Sequence, residues 1–149
     1  MKISSIEYRA ICHATEDIDA VKKAVENAGC TGEHQISYLS GLHQNRIVVI
    51  SGRIEKQKEV KALLSNLESH GIMKAIENQI EDRLDDDCVL HIRLSKQDAF
   101  NNKIVLAGEA DCIQISMHIW VHPARKEKAM SELRKYYENI HENQYDANP

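Results

Sequence analysis

Between Cys112 and Val121 the chain alternates without interruption: Ile113, Ile115, Met117, Ile119 and Val121 fall on one side, Gln114, Ser116, His118 and Trp120 on the other. A period of two sustained this long belongs to a strand with one buried and one wet face. A parallel sheet covered by helices on both faces would instead show continuous apolar runs, so the strand predicts an antiparallel sheet backed by helices on one face only. Two other segments repeat the pattern. From 3 to 14, Ile6, Tyr8, Ala10 and Cys12 oppose Glu7, Arg9 and His13, with Ile11 as the interruption; from 88 to 95, Leu90, Ile92 and Leu94 oppose His91, Arg93 and Ser95. The uncovered face would therefore carry Arg9, His91, Arg93, Gln114 and His118, with Trp120 as a further candidate.

The remaining signals arrange helices around these strands. Thr15 offers a hydroxyl to the free amides of a helix whose apolar stripe is Ile18, Val21, Val25 and Ala28, and Gly29 ends it. Residues 35 to 40 and 46 to 54 read as a hairpin around the loop Gly41-Leu42-His43-Gln44-Asn45. Val60, Leu63, Leu64 and Leu67 mark a helix from Lys56, broken at Ser69-His70-Gly71, and Ile72, Ile76, Ile80 and Leu84 mark a second. A turn at Asp85-Asp86-Asp87 precedes the strand at 88 to 95, and a short strand is expected over about 103 to 107. Pro123 suits the first turn of a terminal helix with Met130, Leu133, Tyr136, Tyr137 and Ile140 as its docking stripe. The predicted order is β-α-β-β-α-α-β-β-β-α, an α+β fold, and its 149 residues fit one domain spanning 1–149.

Charge limits the functions open to this fold. Nineteen Lys and Arg against 23 Asp and Glu give a net charge of −4, the wrong sign for a protein that coats nucleic acid, so any such surface must be local. Residues 53 to 75 hold five basic and three acidic groups, residues 91 to 108 hold three and one, and residues 76 to 90 hold one and six. The N-terminus lacks the apolar core of a signal peptide and no run is long enough to span a bilayer. Four cysteines without close pairing suit a reduced, cytoplasmic protein.

No phosphate loop, dinucleotide fingerprint or nucleophile elbow is present. His118 and His122 would lie about 13 Å apart on a strand, too far to share a metal ion. Asp85-Asp86-Asp87 reads as a solvated turn rather than a cation site. The expectation is a non-catalytic protein that needs no metal and no cofactor. Binding chemistry is more visible. Arg93 faces outward, and Lys96, Gln97 and Lys103 follow it, offering charge and amide donors to phosphates and sugar hydroxyls. Lys58 and Lys61 sit one helical turn apart as a second basic pair. Trp120 could stack on a base, although burial under the terminal helix is the favoured reading.

Two segments together resemble a known family. Ile11-Cys12-His13-Ala14-Thr15-Glu16-Asp17, and Asp82-Arg83-Leu84-Asp85 followed by Leu90 to Phe100, are similar to an archaeal RNA-binding family described as predicted exosome subunits. The resemblance covers about residues 5 to 120 and leaves 123 to 149, with the terminal helix and tail, outside it. It implies a fold similar to the ribosomal protein that binds five-S RNA, and RNA contacts at Arg93, Lys96 and Gln97 and at His43 and Asn45 in the hairpin loop. Gln44 and Arg46 stand where the family has Gly and Pro, and Arg46 adds a charge. The implied partner is structured RNA, with RNA-processing proteins or a second copy of the chain as further partners. The competing reading is a protein–protein adaptor or assembly factor without direct RNA contact, which the acidic balance suits.

Overall fold

The computed structural model describes residues 1–40, 46–108 and 110–146. Five strands, β1 (Ile3–Cys12), β2 (Gln35–Ser40), β3 (Arg46–Ile54), β4 (Val89–Leu94) and β5 (Ile113–Ile119), form one sheet in the order β2-β3-β1-β5-β4. Every neighbouring pair is antiparallel. The helices are α1 (Ile18–Asn27), α2 (Gln57–Ser69), α3 (Ile72–Ala75), α4 (Ile80–Arg83), α5 (Lys96–Phe100) and α6 (Lys126–Asp146), with a single 3-10 turn at Glu77–Gln79.

The α+β class and the alternation both hold. Ile6, Tyr8, Ala10, Ile50, Ile92, Ile113, Ile115 and Met117 are buried against Val21, Val25, Val60, Leu63 and Leu67 of the helices in one core. Burying each large aliphatic side chain contributes about 2 kcal/mol, so this face decides the register. A slip of one residue would turn it toward water. The terminal helix α6 joins the same core through Ala129, Met130 and Leu133, and Tyr137 donates its hydroxyl proton to the Met73 carbonyl at 2.5 Å. Gly52 lies opposite Tyr8, where any Cβ would collide with the phenol ring. The space lets the Tyr8 hydroxyl reach His34 Nδ1 at 2.6 Å.

Three local expectations are corrected. The cap of α1 is Asp17, whose carboxylate accepts from the Asp19 amide at 3.1 Å, so Thr15 lies outside the helix. The run from Ile72 to Leu84 breaks into α3, the 3-10 turn and α4, since Leu84 leaves the helix to bridge Leu90. The segment 103–107 is no strand: Lys96 to Phe100 fold as the unforeseen α5, capped by Ser95, and only Leu106 pairs across, with Leu94. The loop Gly41 to Asn45 lies outside the described residues.

Candidate nucleic-acid interface

The helices pack their apolar side chains against one side of the sheet, so much of its other face is exposed, although Ser5, Val49 and Val89 of that face are buried, and its register can be read across the five strands. Gln35 pairs with Ser51, Ser51 with Arg9, Arg9 with Gln114, and Gln114 with Arg93. These five side chains form one row about 19 Å long at the usual strand spacing, with the two arginines about 10 Å apart. Arg9 and Arg93 are exposed, and among the described residues neither has an ion-pair partner within 4.0 Å. The row therefore combines two uncompensated guanidinium groups with two amides and a hydroxyl, a set suited to phosphate oxygens and sugar hydroxyls.

The next row is balanced instead. Arg53 binds Glu7 at 2.7 Å and Glu55 at 2.6 Å, and His118 Nε2 lies 3.6 Å from Glu7. Beside it His91 links Asp85, 2.8 Å from Nε2, to Ser116 Oγ, 3.3 Å from Nδ1. Asp85 also accepts from the amides of Asp87 and Val89. Burial pushes the Asp85 carboxyl up, but the hydrogen bonds from His91 and from these amides outweigh it and hold the group below its usual range. The chain Asp85–His91–Ser116 orders groups as a nucleophile and base would be ordered. Ser116 sits on an inner strand whose backbone pairs with β1 on one side and β4 on the other.

The expected residues do not gather at one site. Arg93 lies on the open face as its alternation requires. Lys96 corrects its expectation: it is buried at 7% exposure. Its ammonium donates to the Ile11 carbonyl at 2.7 Å, Glu16 at 2.8 Å and Asp111 at 2.9 Å. Burial alone would lower the Lys96 pKa, yet the bonds from Glu16 and Asp111 raise it overall. The ammonium cannot also serve a phosphate. The physical reason is α5, which turns Lys96 inward at its first residue, whereas a continued loop would have left it in solvent. Gln97 is exposed on α5 and borders a hollow of about 760 Å³ together with Glu16, Asp17, Asp98 and Asp111, an acidic rim that repels phosphate. Lys103 is exposed just beyond α5. Arg46 begins β3 opposite Ser40, three strands from Arg93, and its alternation points it to the helix side. His43 and Asn45 lie outside the described residues.

The acidic rim includes a group that could approach a cation. One ligand atom each from His13, Glu16 and Asp111 lie within 4.8 Å of one another. Lys96 Nζ already bridges the two carboxylates and supplies the positive charge there. Trp120 also corrects its expectation. It is 53% exposed just past the end of β5, not covered by α6, because α6 seats Ala129, Met130 and Leu133 in the core and brings only its polar residues to a hollow at the indole. Sequence alternation had already placed Arg9 and Gln114 on the open face; Ser51 and Gln35 escaped because only the strand order aligns them with the arginines.

An antiparallel sheet with helices on one face carries on the other a row of arginines and amides whose donors suit phosphate and sugar oxygens. A family model described as RNA binding matches residues 5–119, and the chain belongs to that family. Among solved structures, protein AF2318 from Archaeglobus fulgidus is 28% identical, with a TM-score of 0.81 over 90% of this chain and 99% of its own. Mth689, a DUF54 protein from Methanothermobacter thermautotrophicus, is 26% identical, with a TM-score of 0.78 over 89% of this chain and 96% of its own. Protein SSO0741 from Sulfolobus solfataricus, 16% identical with a TM-score of 0.66 over 89% of this chain and 98% of its own, shares the fold. No curated protein matches the sequence. Among the described residues, no helix is long and apolar enough to cross a membrane.

Proposed function

We propose that this chain is a non-catalytic protein that binds structured RNA on the open face of its sheet. Arg9 and Arg93 hold phosphates, while Gln35, Ser51 and Gln114 bond to phosphate oxygens and 2′-hydroxyls between them. The observation that carries the reading is that row: two guanidinium groups with no carboxylate partner among the described residues, on a face no helix covers. The row holds no aromatic side chain, so it grips backbone and shape with little preference among bases. A place in the cytoplasm beside RNA-processing machinery of the exosome or beside the ribosome, with RNA and processing proteins as partners, fits this chemistry and the family.

A filter-binding titration of a hairpin RNA at low and at physiological salt tests it. The expected outcome is modest, salt-sensitive affinity whose logarithm falls linearly with the logarithm of salt concentration. No affinity at either salt would sink the reading. It would promote the adaptor function, for which the acidic hollow between α1 and α5 is the specific support.

A further inference from the structure

We propose that Trp120 is a stacking site for an unpaired nucleobase, so that the preferred ligand is an RNA whose duplex runs into a single strand. This rests on reading the sheet face as the RNA surface and names what lies at its end. Trp120 continues the parity of Gln114, Ser116 and His118, and its backbone amide donates to the Lys2 carbonyl at 2.8 Å, which fixes the segment against the start of β1. The indole is more than half exposed. The Lys2 ammonium lies over one face of the ring, 4.9 Å from its centroid, a cation–π contact that places a phosphate-binding charge at the site, so a base stacks on the opposite face or displaces Lys2.

The surroundings favour a nucleotide. A hollow of about 660 Å³ opens between Lys2, Trp120, His122 and the Lys128, Glu132 and Lys135 positions of α6. Lys128 donates to the His122 carbonyl at 2.7 Å, and Lys135 lies 3.6 Å from Glu132. Three lysines and one glutamate thus line the hollow at the indole, with only Lys135 paired to the carboxylate. Among the described residues the other large exposed aromatics are Phe100 and Tyr38, and Phe100 also carries a lysine, Lys23, 5.3 Å from its ring centroid, but in acidic surroundings. Phe100 borders the acidic hollow, and Tyr38 lies on the far edge strand with the helix-side parity. From Gln114 to Trp120 the strand runs about 20 Å, so an RNA held by Arg9 and Arg93 reaches the indole only by continuing along β5.

Trp120 is the only tryptophan in the chain, and its fluorescence reports the site directly. Two hairpin RNAs of identical stem, one blunt and one carrying about six unpaired adenylates at each end, are titrated into the full chain, alongside a free adenylate strand. The expected result is quenching by the extended hairpin but not by the blunt one. Replacing Trp120→Ala should weaken the extended hairpin about tenfold, the scale of one base stack, and leave the blunt one unchanged, with Trp120→Phe between the two. Equal affinity for both hairpins with unquenched fluorescence overturns the inference and leaves the sheet-face reading intact. Quenching by the free strand without binding of the blunt hairpin supports the stacking site and removes the sheet-face reading. Absence of binding and quenching with every RNA removes both. Circular dichroism of the variants confirms folding.

Discussion

Arg93 and Lys96 are three residues apart in sequence, and the structure gives them opposite work. Arg93 stands on the open face in a row with Arg9, Gln114, Ser51 and Gln35, without an ion-pair partner among the described residues. Lys96 is enclosed by Glu16, Asp111 and the Ile11 carbonyl at the end of β1. The first region keeps its charge available to a partner, whereas the second uses its charge up inside the fold. A basic residue near a strand end therefore identifies a binding surface only once its partners are known. What separates these two is one turn of helix, since Ser95 accepts from the Asp98 amide and starts α5 at Lys96.

The largest expected effect lies on the internal side of this comparison. Lys96→Met leaves Glu16, Asp111 and the Ile11 carbonyl without their shared donor. Breaking a buried pair costs several kcal/mol, and the partial exposure of both carboxylates reduces that to about 2 kcal/mol here. Urea denaturation at neutral pH should show this loss with an unchanged m-value. Burial pushes the Asp111 carboxyl up, but the hydrogen bond and charge of Lys96 together with those of His13 outweigh it, and its net pKa is lowered. A lowered carboxyl pKa supplies stability above its unfolded value that disappears as the pH falls through the folded one. The raised Lys96 pKa supplies stability that disappears only as the pH rises beyond the ordinary lysine range. The wild-type advantage over Lys96→Met should thus stay flat from mildly acidic to mildly alkaline pH and shrink toward strong acid. RNA affinity of the folded variant should not change. A neutral Lys96→Met that instead loses RNA binding would erase the distinction between the two regions.

On the exposed side, the double substitution Arg9→Ala, Arg93→Ala should reduce hairpin RNA affinity by more than tenfold at low salt. Each phosphate contact adds about 0.9 to the slope of affinity against salt on duplex DNA, so the slope should flatten by somewhat less than two. Stability should stay within about 0.5 kcal/mol, because among the described residues neither side chain has an ion pair to lose. Unchanged binding in this variant would move the RNA site away from the sheet.

The open face was legible because alternation is a property of neighbours in sequence: Arg9, His91, Arg93, Gln114 and His118 all lie where the period of two puts them. The row itself was not legible. Gln35 and Ser51 join it only through the order β2-β3-β1-β5-β4, in which β1 enters between β3 and β5, and that order depends on long-range packing. The fate of Lys96 was hidden for the same reason. Its partners Glu16 and Asp111 are 80 and 15 residues away, and a short capped helix of five residues leaves a weak periodic signal. Trp120 was misplaced because the apolar stripe of α6 implied a covered strand end, while the helix seats that stripe in the core and brings only polar residues to the hollow at the indole.

A smaller effect concerns the thiols. Cys12, Cys30, Cys88 and Cys112 are all buried and unpaired, and burial pushes the Cys30 thiol up to about 12. The nucleophile toward alkylating reagents is the thiolate. Labelling of Cys30 at neutral pH in the native chain should be slower by orders of magnitude than in urea and should proceed through unfolding. Fast labelling of the native protein at Cys30 would mean that the core beneath α1 opens locally.

The smallest expected effect lies at α5. Gln97 lies on α5 at the acidic hollow, and Lys103 follows the helix. Gln97 borders Glu16, Asp17, Asp98 and Asp111, whose combined field opposes an approaching phosphate. Lys103 is exposed, but its backbone amide is tied to the Asp98 carbonyl at 2.9 Å, which holds the residue beside α5 rather than on the sheet face. Gln97→Ala and Lys103→Ala should therefore each change hairpin RNA affinity by less than a factor of about three, the scale of one screened exposed charge, and leave the salt slope within measurement error. A tenfold loss in Lys103→Ala with a slope reduced by about one would make that side chain a phosphate contact. The RNA path would then leave the row at Arg93 and pass over α5, away from Trp120, so the same measurement also orders the two ends of the sheet by their use.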